Sequence, residues 1–243
     1  MYLCLDLGNT SGKVRIDFPE VPPLYYRPLT DEEIIMLIVQ YQPSHIIYCD
    51  VRGTASDLIA QANTSAHVIP FTYQLPLPIK NSYQTPHTLG MDRLAAALGA
   101  WQHFPYQSSL IIDAGTCITY DFITSEGEFL GGLISPGLQM RCKAMHTQTA
   151  KLPLVEIKPS QSIPFVGRTT QEGLQSGVFH GLCAEIEGII KRYSDIFGQF
   201  NIVLTGGDAL FFEKTIKEIN FVNENLVLDG LKAALDFNLT NKF

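Results

Sequence analysis

Tyr2-Leu3-Cys4-Leu5-Asp6-Leu7-Gly8-Asn9-Thr10-Ser11-Gly12-Lys13 opens the chain, and its reading governs the rest. Apolar residues 2–5 lead into a polar, glycine-flanked turn, and alternation resumes over 13–18. That pattern predicts a strand, a turn and a second strand. Gly8 has no Cβ, so the backbone there can turn sharply and approach a ligand closely. Asn9, Thr10 and Ser11 offer side-chain and backbone donors to phosphate oxygens, and Gly12 again removes bulk. Lys13 can place a point charge on a phosphate. Asp6 cannot bind phosphate directly, and its chemistry suits a magnesium ion held through water. Such a turn taken alone also describes an ordinary polar hairpin.

The pattern recurs. Leu110-Ile111-Ile112 leads into Asp113-Ala114-Gly115-Thr116, and residues 118–122 read as a following strand. Two acid-Gly-hydroxyl turns at equivalent strand ends predict a duplicated α/β unit, divided into half-domains at 1–110 and 111–243. A third strand, 201–204, ends in Thr205-Gly206-Gly207-Asp208, whose glycines would let a flat adenine lie against the backbone. Phosphate turn, second phosphate turn and late Gly-Gly turn, in that order, resemble the actin-like ATPase and sugar-kinase (ribonuclease H-like) architecture. In that architecture two similar half-domains flank a nucleotide cleft. Neither a G-x-x-x-x-G-K-[ST] loop nor a G-x-G-x-x-G fingerprint occurs, so P-loop and Rossmann readings lose support.

Between these landmarks the elements follow from capping and periodicity. Residues 19–28 are rich in proline and predict a loop. Thr30 with Glu33 forms a capping box that opens the apolar stripe 34–39. Residues 45–48 and 68–71 predict strands, 55–63 a helix, and 92–103 a helix rich in Ala and Leu. Gly127, Gly131 and Gly132 punctuate turns, and 153–164 reads as an exposed connection. A long helix is expected over 170–193. The apolar triplet 226–228 and a helix near 230–237 close the chain.

Composition narrows the class. The 243 residues are 46% hydrophobic and 17% charged, an ordinary globular balance, with net charge -7. Phosphate backbones select basic surfaces, so a nucleic-acid partner is not expected. No apolar run approaches bilayer length, and the N-terminus has no basic n-region before an apolar core, so neither a membrane partner nor a signal peptide is expected. The five cysteines are odd in number and contain no C-x-x-C pair, which fits reduced thiols in a cytoplasmic protein. The six histidines lack ligand spacing.

One more constellation lies between the phosphate turns: Tyr83, then Gly90-Met91-Asp92-Arg93 at a helix start. An Asp that accepts a substrate hydroxyl proton, beside an Arg whose fork grips a carboxylate, describes a kinase for a hydroxy acid. The same residues also fit an N-terminal Asp with a surface Arg.

Together these residues resemble the type III pantothenate kinases over nearly the whole chain. The resemblance rests on Asp6-Leu7-Gly8-Asn9-Thr10 with Lys13, on Leu89-Gly90-Met91-Asp92-Arg93, and on Asp113-Ala114-Gly115-Thr116 with Thr119 and Asp121. It continues through Gly131-Gly132-Leu133-Ile134-Ser135-Pro136-Gly137, Gly167-Arg168-Thr169-Thr170 with Ser176-Gly177, and Thr205-Gly206-Gly207-Asp208.

What the resemblance implies is specific. The protein would phosphorylate pantothenate with ATP, the first step of coenzyme A synthesis. Asp6, Leu7, Gly8, Asn9, Thr10, Ser11, Gly12 and Lys13 would bind the ATP phosphates, and Thr116 would contact the nucleotide from the second turn. Asp92 would take the proton of the primary hydroxyl. Tyr83, Gly90, Met91 and Arg93 would line the pantothenate pocket, with Thr170 contributed by the partner subunit of a homodimer. Asp113 would help hold a monovalent cation, potassium or ammonium, required besides magnesium.

The chain departs from the family in having Thr85-Pro86 where Asn-Pro is usual, and Cys117 where a small residue such as Ala is usual. Two other readings fit the residues: an actin-like kinase for another small hydroxy acid, and a non-catalytic regulatory relative. The Asp92-Arg93 pair disfavours sugars, which carry no carboxylate, and a pure regulator has no use for Asp92.

Overall fold

The computed structural model describes residues 1–159 and 161–240. In chain order its elements are β1 (Tyr2–Leu7), β2 (Gly12–Phe18), β3 (Val21–Leu29), α1 (Asp31–Tyr41), β4 (His45–Asp50), α2 (Ala55–Gln61), β5 (His67–Pro70), β6 (Lys80–Asn81) and α3 (Met91–His103). There follow β7 (Ser109–Ala114), β8 (Cys117–Ile123), β9 (Glu128–Pro136), α4 (Leu138–Thr147), α5 (Thr170–Phe197), β10 (Asn201–Thr205), α6 (Ala209–Phe212), β11 (Phe221–Val222) and α7 (Leu226–Thr240). They form two compact units. The first holds Met1–Tyr106, Ile123–Gly131 and residues 225–240, and the second holds Gln107–Phe122 and Gly132–Glu224. This division differs from a single cut at 110 because the C-terminal helix packs with the first unit.

In the first unit the sheet order is β3-β2-β1-β4-β5, with β1 antiparallel to β2 and parallel to β4. Strand alternation sends Leu3, Leu5 and Leu7 into a core with Ile34 and Ile38 of α1. Tyr2, Cys4 and Asp6 take the other face. There α7 lies against β1, and its Lys232 stands over the Tyr2 ring at 5.6 Å. Helices α3 and α7 are in backbone contact: a Cβ on Gly99 would stand 2.2 Å from the Leu226 carbonyl, and one on Gly230 would stand 1.8 Å from the Ala95 carbonyl. This contact carries α3, and with it Asp92, into a fixed place beside the sheet.

In the second unit the strands run β11-β10-β7-β8-β9, with β7 parallel to β10. The core combines Leu110, Ile112, Ile118, Tyr120 and Phe122 of the sheet with Leu174, Val178, Leu182 and Ile186 of α5. Each unit opens alike, with a strand, a short turn at an Asp, and a second strand; in each, the first strand has a parallel neighbour.

Three expectations are corrected. The proline-rich stretch 19–28 is mostly strand β3, an edge strand whose pairing with β2 shifts register twice. Prolines are tolerated there because an edge leaves alternate N–H groups unpaired. Gly131 and Gly132 lie inside β9 rather than at turns. Gly132 is there because a Cβ would fall 1.6 Å from the Tyr120 carbonyl. The triplet 226–228 is the first turn of α7 itself, continuous with the helix expected near 230–237, and is buried where α7 packs on α3 and the sheet. Helix α4 was not foreseen. The connection 153–164 is mostly exposed, although Val155 and Ile157 are buried in the core; Ser160 lies outside the described residues.

Candidate active site

The first unit gathers most of the expected residues. Asp6 ends the apolar part of β1 and pairs in register with Lys13 of β2 on one side and Cys49 of β4 on the other. Leu7 pairs with Gly12, which leaves residues 8–11 as the turn. Asn9 and Thr10 are exposed, and Ser11 is half-buried. Leu7 is fully buried, so only its backbone is available to a ligand. Gly12 serves packing instead: a Cβ there would meet Ile34 Cδ1 at 2.4 Å. Its missing side chain makes room for α1 rather than for phosphate.

Asp6 is 6% exposed. Burial pushes its carboxyl up to about 6; the Lys13 ammonium works against this and the Asp92 carboxylate adds to it. Asp92, in the first turn of α3, is also raised, chiefly by burial, against the pull of Arg93 and of backbone N–H groups. Its Oδ1 accepts the Arg93 N–H at 2.9 Å. A Cβ on Gly90 would stand 2.6 Å from that oxygen, so the N-cap glycine gives the carboxylate its place. Cys49, which sequence reading missed, faces the same carboxylates, and burial with Asp6, Asp92 and Asp50 drives its thiol well up. Its signal was the parallel register of β1 and β4, which sequence does not state.

Arg93 is buried, and its guanidinium carbon stands 5.7 Å from the centroid of the Tyr83 ring. Tyr83 and Met91 are half-buried. A carboxylate, a guanidinium and an aromatic ring therefore share one unit.

The second unit carries the second turn. Asp113 is next to last in β7, Thr116 is exposed, and the Gly115 N–H donates to the Cys117 carbonyl at 2.9 Å. Gly137 lets the start of α4 press on this turn, donating to the Thr116 carbonyl at 3.1 Å where a Cβ would lie 2.2 Å from the Gly115 carbonyl. Gly206, at φ +97°, sits against Asp113: a Cβ there would be 2.5 Å from Asp113 Oδ1. The Asp208 N–H donates to the Ala114 carbonyl at 2.8 Å, so the Gly-Gly turn and the second phosphate turn form one shelf. Burial lifts the Asp208 carboxyl to about 6.

Thr169 is the N-cap of α5, its hydroxyl accepting the Glu172 N–H at 3.1 Å, while Thr170 is exposed on the first turn. An unforeseen cluster centres on Glu185, which accepts from Tyr120 Oη at 3.0 Å and from Arg141 Nη2 at 2.5 Å. Arg141 also donates to the Ser135 hydroxyl and the Pro136 carbonyl, tying α4 and α5 to β9.

Among the described residues no group of three or more His, Cys, Asp and Glu side chains could cage a metal. Magnesium, however, is commonly held by one or two carboxylates together with substrate phosphates and water. The buried Asp6 carboxylate beside a polar turn fits that mode. No helix among the described residues is long and apolar enough to cross a membrane.

This fold has known company. A Baf family transcriptional activator from Campylobacter jejuni superposes with TM-score 0.63 at 22% identity, covering 98% of this chain and 99% of that one. The activator of 2-hydroxyisocaproyl-CoA dehydratase from Clostridium difficile, with bound ADPNP, gives 0.54 at 14% identity over 99% and 97%. Such identities speak for fold alone, and the fold is the duplicated actin-like ATPase and sugar-kinase architecture. Sequence comparison is more specific. Residues 2–192 match the type III pantothenate kinase family. Type III pantothenate kinases from Flavobacterium psychrophilum (47% identical, 95% of this chain and 97% of that one) and Flavobacterium johnsoniae (38%, 99% and 100%) align throughout. The family match defines an ATP-dependent phosphotransferase. The chain belongs to the type III pantothenate kinases, whose reaction is the ATP-dependent phosphorylation of pantothenate that begins coenzyme A synthesis.

Proposed function

We propose that Asp92 is the base that takes the proton of the pantothenate hydroxyl, with Arg93 gripping the substrate carboxylate and Tyr83, Gly90 and Met91 lining the pocket. The observation that carries this reading is the placement of a buried carboxylate, Asp6, and a half-buried one, Asp92, in one unit with Lys13 and Arg93, with Asp92 near enough to raise the Asp6 carboxyl. Burial keeps the Asp92 carboxyl above its ordinary range, nearer the operating pH at which a base works best. Bound magnesium-ATP supplies the phosphoryl group. Asp6 helps hold the cation, the Leu7 backbone and residues 8–11 with Lys13 cradle phosphate oxygens, and Thr116 contacts the nucleotide from the second turn. Positioning and charge neutralisation do most of the work in such a transfer.

Asp113 helps hold a potassium or ammonium ion, and the enzyme is a cytoplasmic homodimer in which Thr170 of one subunit completes the pocket of the other. Three observations support a partner on the second unit: Phe165 and Val166 are 78% and 72% exposed, Ile134 is 63% exposed, and Gly173, Gly177 and Gly181 leave open space along α5. The engaged hydroxyl of Thr169 favours Thr170 as the contact.

A coupled ADP-release assay with pantothenate and magnesium-ATP, in potassium and in sodium, tests the reading. Pantothenate-dependent release that needs potassium supports both the reaction and the cation site. No release from folded protein in either salt overturns the reading. Mixing Asp92→Asn subunits with Thr170→Ala subunits should regenerate activity, since one site in each mixed dimer is intact. Absence of any recovery would place Thr170 within its own subunit's pocket.

A further inference from the structure

Gly131, expected from the sequence at a turn, lies in β9 close against the Tyr83 ring. The segment after β6 is pinned to the start of β9. Lys80 and Asn81 pair with Glu128 and Phe129, the Ser82 N–H donates to the Phe129 carbonyl at 3.0 Å, and the Tyr83 N–H donates to Asn81 Oδ1 at 3.1 Å. The Tyr83 ring therefore lies over the β9 face that carries Phe129 and, two residues on, Gly131. Its centroid is 6.5 Å from that of Phe129. Gly131 has φ +86°, and a Cβ there would stand 2.6 Å from Tyr83 Cδ2 and 2.8 Å from Cε2.

Non-bonded carbons settle at about 3.5–4.0 Å, so any side chain at 131 displaces the ring by roughly an ångström. A cation–π contact fades beyond about 6 Å from the centroid, and the guanidinium stands at 5.7 Å. A displacement of that size is therefore enough to change or break the stacking. Ring atoms are no flexible tip that could swing aside, because Tyr83 is fixed through its own backbone and its neighbours.

We propose that Gly131 is a positioning residue for acid recognition: its missing side chain is the space that seats the Tyr83 ring over the Arg93 guanidinium. The inference rests on the proposed carboxylate role of Arg93 and adds the element that selects for it. Gly131 touches no substrate. It acts through Tyr83, and so governs affinity for the acid substrate rather than for ATP.

The test is a double-mutant cycle of Gly131→Ala and Tyr83→Ala, read by pantothenate KM, ATP KM and thermal unfolding. Gly131→Ala should raise pantothenate KM by at least about tenfold, with ATP KM changed by less than about twofold. In the Tyr83→Ala background the same change should add little, because the ring it would strike is gone. Backbone strain at φ +86° acts equally in both backgrounds, so an equal KM increase in each would overturn the proposal. Should Gly131→Ala alone fail to fold, the double variant should recover folding, and failure to recover it would also overturn the proposal. The unfolding cycle needs no activity. It still reads the Gly131–Tyr83 coupling if the wild-type enzyme proves inactive on pantothenate, an outcome that would sink the kinase reading instead.

Discussion

The carboxylate of Asp92 raises the proton affinity of Asp6, although one lies next to last in the first strand and the other in the first turn of the third helix. Asp6 is buried and Asp92 half-buried, and Asp6 stands beside the polar turn 8–11. Two such groups in low dielectric repel each other unless a proton or a cation lies between them. Burial is the larger cost: it keeps the Asp6 carboxyl raised even though the Lys13 ammonium outweighs the repulsion from Asp92.

Asp6→Asn should stabilise the nucleotide-free protein at neutral pH while lowering activity. A carboxyl raised from 3.8 to about 6 in the fold binds more protons folded than unfolded between those values, so stability falls as pH rises through that window. The penalty is complete above about pH 6 and amounts to about 3 kcal/mol at most. Thermal unfolding should show a higher Tm for the variant at pH 7.5, with the gap closing as pH falls from about 6 to about 4. A gap that stays constant with pH would disprove the electrostatic origin.

Asp92→Asn should reduce kcat by about a thousandfold, as loss of a general base does, with ATP binding nearly intact. It should also lower the Asp6 titration midpoint by removing the neighbouring charge, which carboxyl NMR can follow. Unchanged turnover would remove Asp92 from the mechanism.

Arg93→Ala should chiefly raise pantothenate KM, by about tenfold to a hundredfold. Arg93→Lys should rescue poorly, since an ammonium cannot reproduce the planar two-point grip. Steady-state kinetics with pantothenate and its carboxylate-free alcohol analogue decide the matter: the variant should lose its discrimination between them.

Glycine-to-alanine changes in two helices should have opposite signs. At Gly230 the new Cβ would sit 1.8 Å from a backbone carbonyl of α3, and separating two packed helices costs about 1–3 kcal/mol. That exceeds the roughly 1 kcal/mol gained in helix propensity. At Gly188 of α5 nothing lies within 4 Å, so the propensity gain should appear undiminished. Urea unfolding of the two variants should separate them by a clear shift in midpoint, in opposite directions.

Local rules made much of this protein legible in one dimension. The turn after Asp6, the capping box at Thr30 and the strand before Asp113 follow from glycine freedom, cap chemistry and apolar periodicity, all of which act within a few residues. The pairing of Asp92 with Arg93 was likewise visible, because the two are chain neighbours. Other features depend on partners far along the chain. Strand β3 holds prolines because it lies at an edge, Gly131 and Gly132 stand inside a strand where Tyr83 and the Tyr120 carbonyl leave no room for a Cβ, and Leu226 to Leu228 are buried where α7 packs on α3. Cys49 joins the acidic cluster through register alone. Short-range chemistry thus wrote the motifs into the chain, whereas close packing decided which of them meet, since the interior leaves no spare volume.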